Sequence, residues 1–340
     1  MISKIIQEII NVWDNLELNG KVPRKFRPLI ANGKFGKVNI FIFFDNNELP
    51  TLLMRIAKTK SANANLQNEY LQLKKIHLFN DSFLTGSVPR PVYYNEIDGQ
   101  GVLIELNMVG KALTSLIHRQ RNGLPNIRDA QKYFDLCFNW ITHLHGVTKI
   151  KRNSIGKPEL TMIINKSSMK RNSFSDRPDV LKESVSILKN LISTNCLVFQ
   201  MGDFWPGNIL IRDEYPIVLD WEFSQYPGLP LLDLFQFAIN YFNVAANINI
   251  DNNFHNTFFY SSDFTDKSRK HIASIEVYKN CFFSNNKYSE LVKKYLLKYC
   301  ESLDIDYKYV FEYFLIYILL FRSDIKGFDF VKNNKRDFII

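Results

Sequence analysis

No two cysteines stand close together in this 340-residue sequence: Cys137, Cys196, Cys281 and Cys300 are scattered and form no C-x-x-C pair. That excludes a zinc knuckle and a dense disulfide framework, and it fits a reducing, cytoplasmic setting. A membrane-spanning run is missing too. The most apolar stretch, residues 310–321, is interrupted by Glu312 and is shorter than the ~20 residues that cross a bilayer, so it reads as a buried helix. A leader peptide is not indicated, because Lys4, Glu8 and Asp14 break residues 1–18, where Ile2, Ile5, Ile6, Ile9, Trp13 and Leu16 recur at helical spacing; the expectation is an amphipathic helix. Nor is there a basic arm. The net charge is +9, but the densest cluster, residues 166–171, is diluted by Ser167, Ser168 and Met169. The excess charge reads as a solvated surface, and neither nucleic acid nor a membrane is an expected partner.

What is present is ample apolar material, 46% of residues against 23% charged, enough for a sizeable core in one bilobal unit or two packed domains. After the first helix, residues 21–28 are basic and proline-bearing and suggest an extended connection. Residues 38–44 and 51–57 are β-branched and apolar runs around the turn chemistry of Asp45, Asn46 and Asn47, which predicts a hairpin. From 61 to 78 the pattern becomes helical, with Leu66, Tyr70, Leu73 and Ile76 on one face around Glu69. Residues 92–94 and 102–106 read as another strand pair across Asp98, Gly99, Gln100 and Gly101, and Val109-Gly110 ends the pattern. The remainder is mainly helical, beginning with the apolar stripe of 130–144. One β-rich island interrupts it, at 197–199, 209–211 and 217–219. No internal repeat is visible, and the Asn-rich segment 247–256 reads as a surface loop.

The informative segment lies in that island: Met201-Gly202-Asp203-Phe204-Trp205-Pro206-Gly207-Asn208, three apolar residues, a turn, three more, then Asp220-Trp221-Glu222. Phosphoryl transfer needs a carboxylate near the attacking hydroxyl and oxygen ligands that hold Mg²⁺ against a nucleotide's phosphates. Asp203, Asn208 and Asp220 are residue types that meet those needs, Asp203 toward substrate and Asn208 and Asp220 toward metal. An isolated D-x-x-x-x-N is common as a plain turn. The ordered set, with Gly-Asp, Pro-Gly-Asn and Asp-Trp-Glu, is much more specific.

These residues resemble the catalytic loop and metal motif of the aminoglycoside phosphotransferase and choline kinase superfamily, which has a protein-kinase-like fold. Its usual form is H-G-D-x-x-x-x-N followed by an apolar run and D-W/F-E/D; here Met201 replaces the histidine that braces the loop. The resemblance spans roughly residues 26–241. It implies an α+β, bilobal architecture: residues 1–107 as N-terminal helix and nucleotide-binding lobe, with a small β-sheet and one packed helix, and residues 108–340 as a mainly helical lobe with the catalytic loop and acceptor pocket. It also implies ATP as phosphoryl donor, Mg²⁺ as cofactor and a small-molecule acceptor bearing a hydroxyl group. Asp233, in Gly-Leu-Pro-Leu-Leu-Asp-Leu, would tie a helix to the catalytic loop.

For the nucleotide's phosphates the resemblance puts Arg55 at the usual lysine position, with Lys58 three residues on. Strand alternation points the two oppositely, and the choice between them stays open. Glu69 resembles the carboxylate that pairs with this cation. Gly33 and Gly36 offer small residues for a loop over phosphates, though without the three-glycine signature of protein kinases. Glu105 and Asn107 lie in a segment resembling the hinge between lobes, where backbone rather than side chain would meet adenine. Glu222 is open between assisting a second metal and pairing locally. His143 and His145, two apart on a helix, face different ways and do not form a metal pair. The alternatives to a small-molecule kinase are a kinase-fold nucleotide-binding protein without turnover and a protein kinase.

Overall fold

The computed structural model describes residues 2–11, 13, 21–32, 36–118, 124–151, 177–246, 274–322 and 324–339. Contacts divide the chain into two units, Met1–Gly110 with Leu210–Ser224, and Lys111–Ile209 with Gln225–Ile340. The division differs from a single cut after residue 107, because the hairpin carrying Asp220 groups with the first unit.

The first unit is built on an antiparallel sheet of order β1-β2-β3-β5-β4, formed by β1 (Phe26–Asn32), β2 (Lys37–Phe44), β3 (Leu52–Ala57), β4 (Pro91–Ile97) and β5 (Gln100–Leu106). Alternation divides each strand between two faces. Ile40 and Ile42, Leu52, Met54 and Ile56, and Val102 and Ile104 form one face. They pack against Ile5, Ile9 and Trp13 on and just after α1 (Ile2–Asn11). These three side chains are 0–4% exposed, and burying each contributes roughly 1.5–3 kcal/mol. The other face carries Ala57 and Leu103 against Ala62 and Leu66 of α2 (Lys60–Leu78). The sheet thus has a helix on each face, one more than the sequence led us to expect. Leu16, the last residue of the predicted apolar stripe, lies outside the described residues.

α2 starts where Thr59 accepts a hydrogen bond from the Ala62 N–H at 3.1 Å and ends with Lys75 and His77 in its last turn, favourable to the helix dipole. α3 (Ser82–Ser87), capped by Asp81, leads into β4. Much later in the chain, β8 (Ile209–Arg212) and β9 (Tyr215–Val218) pair. Asn68 of α2 holds the segment after them by donating to the carbonyls of Glu222 and Ser224 at 2.9 and 3.1 Å.

The second unit opens with β6 (Lys111–Ala112) and α4 (Leu113–Leu116) and continues through α5 (Ile127–Val147) and α6 (Pro178–Thr194) to β7 (Val198–Gln200). β10 (Gln225–Gly228) pairs antiparallel with β7. α7 (Leu232–Ala245) is buried along nearly its whole circumference, in keeping with its mostly apolar sequence. α8 (Lys287–Leu303) begins with a capping box between Asn286 and Ser289. Next comes α9 (Val310–Tyr317), the buried helix expected at 310–321, which runs on into a wider π turn, Ile318–Arg322. α10 (Ile325–Asn333) is the last α-helix. The core is largely aromatic: Phe134 packs on Phe237, Tyr241, Tyr288 and Tyr295, and Phe314 on Phe235, Phe282 and Phe338. All four cysteines are buried and free. Among the described residues, no helix is long and apolar enough to cross a membrane. Segments 166–171 and 247–256 lie outside the described residues.

Candidate active site

In the helical unit, the loop after β7 is fixed from beneath by α7. Asp233, in the first turn, accepts from the Met201 N–H at its Oδ2 and from the Gly202 N–H at its Oδ1, both at 2.8 Å. Gly202 has φ +82°, a left-handed conformation that favours glycine. His145 sits wholly buried below, with Nδ1 2.5 Å from the Tyr299 hydroxyl and Nε2 3.6 Å from Asp233 Oδ2. It braces the anchor and is not part of a His143 pair.

The loop then presents Asp203, 8% exposed. Asn208 Nδ2 donates to Asp203 Oδ2 at 2.7 Å and to its backbone carbonyl at 3.1 Å; Gln236 Nε2 donates to Oδ1 at 2.7 Å. Both carboxylate oxygens are therefore oriented by side-chain amide donors. Asn208 reaches Asp203 because Pro206–Asn208 forms a short 3₁₀ turn, closed by the Asn208 N–H on the Trp205 carbonyl at 2.9 Å. With its amide nitrogen committed to Asp203, Asn208 keeps its carbonyl Oδ1 as its acceptor atom. Gln236 was not anticipated, yet it stands three residues after Asp233 on α7, a spacing that shares a face, and it is one of few polar residues in a mostly apolar helix.

The sheet unit holds the second group. Lys37 is paired with Ala57 across β2 and β3, and Asn39 with Arg55; on the next pair Arg55 faces Leu103 and Leu53 faces Glu105. Lys37, Arg55 and Glu105 thus emerge on the α2 face of the sheet. Arg55 Nη2 donates to Glu69 Oε1 at 2.7 Å and to Glu105 Oε2 at 2.8 Å, and Nη1 lies 3.5 Å from Asp220 Oδ1. Glu69 Oε1 also accepts from the Trp221 N–H at 2.9 Å. Lys37 Nζ donates to Glu222 Oε2 at 2.9 Å and stands 3.7 Å from Asp220 Oδ1. Asp220 has φ +62° and, with 32% of its side chain exposed, forms the open edge of a cluster whose other side chains are 7% exposed or less.

Burial shapes the ionisation here. It pushes the Glu105 carboxyl up to about 7 against the pull of Arg55, and it raises Glu69 and Glu222 as well. Burial alone would lower the pKa of Lys37, but Asp220 and Glu222 carry it above its ordinary value.

Arg55 enters the ion cluster, whereas Lys58 lies beyond the end of β3 with its side chain exposed and its N–H on the Gly36 carbonyl at 2.6 Å. Gly36, at φ +72°, packs against Thr59. Gly33 lies outside the described residues. Glu105 differs from expectation: its side chain, not only its backbone, is engaged, because Glu105 alternates onto the same sheet face as Arg55. Asn107 is held locally, its N–H on the Thr51 carbonyl and its Nδ2 on the Pro50 carbonyl. Glu222 has a lysine partner. Lys37 itself was missed, since only strand register reveals that it shares a face with Arg55.

Among the described residues, no three His, Cys, Asp or Glu side chains gather into a metal cage. Magnesium needs none: it is commonly held by one or two oxygen side chains together with substrate phosphates. The side-chain oxygens of Asn208, in the helical unit, and of Asp220, 32% exposed in the sheet unit, are hard donors of that type, and each by its chemistry fits Mg²⁺.

No protein-family model and no curated protein sequence matches the chain. Solved structures similar to it include choline kinase from Cryptosporidium parvum Iowa II, at 12% identity and TM-score 0.45 over 99% of this chain and 95% of that one. An aminoglycoside phosphotransferase from Streptomyces rimosus is similar at 9% identity and TM-score 0.47, over 97% and 99% of the two chains. A glucosamine kinase is similar at 10% identity and TM-score 0.37, over 95% and 96%. With identities this low, the chemistry is read from the chain's own residues.

Proposed function

We propose that this chain is an ATP- and Mg²⁺-dependent phosphotransferase acting on a hydroxyl of a small molecule, with Asp203 as the acceptor-facing base and Asn208 and Asp220 as the metal ligands. The observation that carries this reading is the double hold on Asp203. A carboxylate with both oxygens fixed by amide donors, on a loop whose two preceding N–H groups are pinned by Asp233, is oriented before substrate arrives. The Asp203 carboxylate would align the acceptor hydroxyl and take its proton as the new P–O bond forms. Mg²⁺, when bound, would neutralise charge developing on the transferred phosphoryl group. Arg55 and Glu69 support the nucleotide end, the arginine held in place by three carboxylates.

For the acceptor, residues 241–340 carry slightly more Lys and Arg than Asp and Glu, which disfavours a polycationic aminoglycoside and favours a sugar or another neutral hydroxyl compound. Four unpaired buried thiols accord with a cytoplasmic enzyme. The test is purified protein with Mg²⁺ATP and a panel of sugars, amino alcohols and aminoglycosides. We expect acceptor-dependent ADP release, lowered about 10²- to 10⁴-fold by Asp203→Asn with folding unchanged. ATP binding without phosphorylation of any acceptor would overturn the assignment in favour of a binding protein, and phosphate appearing on protein would overturn it in favour of a protein kinase.

A further inference from the structure

The sheet unit contains two buried cations where the motif comparison calls for one, and they are not equivalent. The guanidinium of Arg55 is a rigid fork whose donors already meet Glu69, Glu105 and Asp220. Turning it toward a ligand would strip two carboxylates, 0 and 4% exposed, of their partner, and such unpaired buried charge is heavily penalised. Lys37 is held more loosely. Its ammonium has three N–H donors, of which one meets Glu222 at 2.9 Å, while Asp220, at 3.7 Å, is beyond hydrogen-bond reach. It sits on a flexible four-carbon stem beside Asp220, the open edge of the cluster. The cluster as a whole sets four carboxylates, Glu69, Glu105, Asp220 and Glu222, against Lys37 and Arg55. Polyphosphate could approach that acidic excess only beside a cation free to turn to it.

We propose that Lys37 on β2, and not Arg55 on β3, is the side chain that contacts the nucleotide's phosphates, while Arg55 is a positioning residue that ties Glu69, Glu105 and Asp220 together. The inference rests on the nucleotide reading above. Lys37 swings from Glu222 to a phosphate oxygen, one charge-assisted hydrogen bond replacing another, and takes the cation from one buried carboxylate, Glu222, where the same movement of Arg55 would take it from two. Because Gly36, immediately before it, adopts φ +72°, the start of β2 is set by a turn and not by further ladder pairing.

Calorimetric titration of the full chain with Mg²⁺ATP and, separately, with adenosine tests this. In the wild type ATP should bind more tightly than adenosine. Lys37→Met should weaken ATP about 10- to 100-fold and leave adenosine unchanged, with Lys37→Arg recovering part of the loss; circular dichroism and a thermal melt verify that each variant folds. An unchanged ratio of ATP to adenosine affinity in Lys37→Met overturns the inference while the nucleotide reading stands. A wild-type chain that binds neither ligand overturns that reading itself.

Discussion

The two units hold their key carboxylates by opposite means. In the helical unit Asp203 and Asp233 are gripped by neutral donors, the side-chain amides of Asn208 and Gln236 and the backbone N–H groups of Met201 and Gly202. In the sheet unit Glu69, Glu105, Asp220 and Glu222 are gripped by charge, through Arg55 and Lys37. Neutral donors fix direction at modest energy, without tying the carboxylate to the fate of a buried cation. Ion pairs fix position more stiffly but make each member hostage to the others, since removing one leaves buried charge behind.

That contrast can be broken most severely at Arg55. Arg55→Met should destabilise the sheet unit by about 3–5 kcal/mol, the usual consequence of leaving buried carboxylates without their cation. Urea unfolding followed by fluorescence measures it, and a loss under about 1 kcal/mol would show that the cluster relaxes into solvent.

A second, smaller effect is a pH slope set by Glu105. With its carboxyl pushed up to about 7 by burial, the folded chain holds a proton that the unfolded chain has already released. Its stabilising contribution is therefore full below the ordinary carboxylate pKa and is lost as the pH rises toward and through about 7. Thermal melts from pH 5 to 8 should show the wild type losing on the order of 1–3 kcal/mol relative to Glu105→Gln across that window. Parallel curves for the two proteins would exclude this origin.

The smallest effect belongs to the neutral grip. Gln236→Leu removes one of the amide donors on Asp203 and adds no charge, so kcat should fall about tenfold while KM for ATP and the melting temperature stay close to wild type. A loss concentrated in KM would assign Gln236 to ligand binding instead.

Much of this was legible in the sequence, and what escaped did so for physical reasons. The hairpin of β2 and β3, the helix α2 and the segment from Gly202 to Glu222 all show in apolar periodicity or fixed spacing. β1 was read as a connection because it carries Pro28 and leaves Leu29 and Ile30 58 and 59% exposed. It is an edge strand, where proline and an open face are tolerated, and there is no buried alternation to read. α3 has six residues and no apolar repeat; its only local signal is the Asp81 cap. At the site, Asp203 and Asn208 were marked by motif, but Lys37, the side chain of Glu105 and Gln236 depend on register and helix face. Those relations join residues distant in the chain and leave little trace in any short window.

One turn of α2 contributes neighbours that grasp the same short stretch of chain. Asn68 takes the carbonyls of Glu222 and Ser224, and Glu69 takes the Trp221 amide with the very oxygen that receives Arg55. The helix is thus a rocker to which the arginine and the Asp-Trp-Glu segment are both bolted. Any tilt of it, from whatever source, shifts the two in concert, so the cluster responds to mechanical input as a latch rather than as a set of separately yielding bonds.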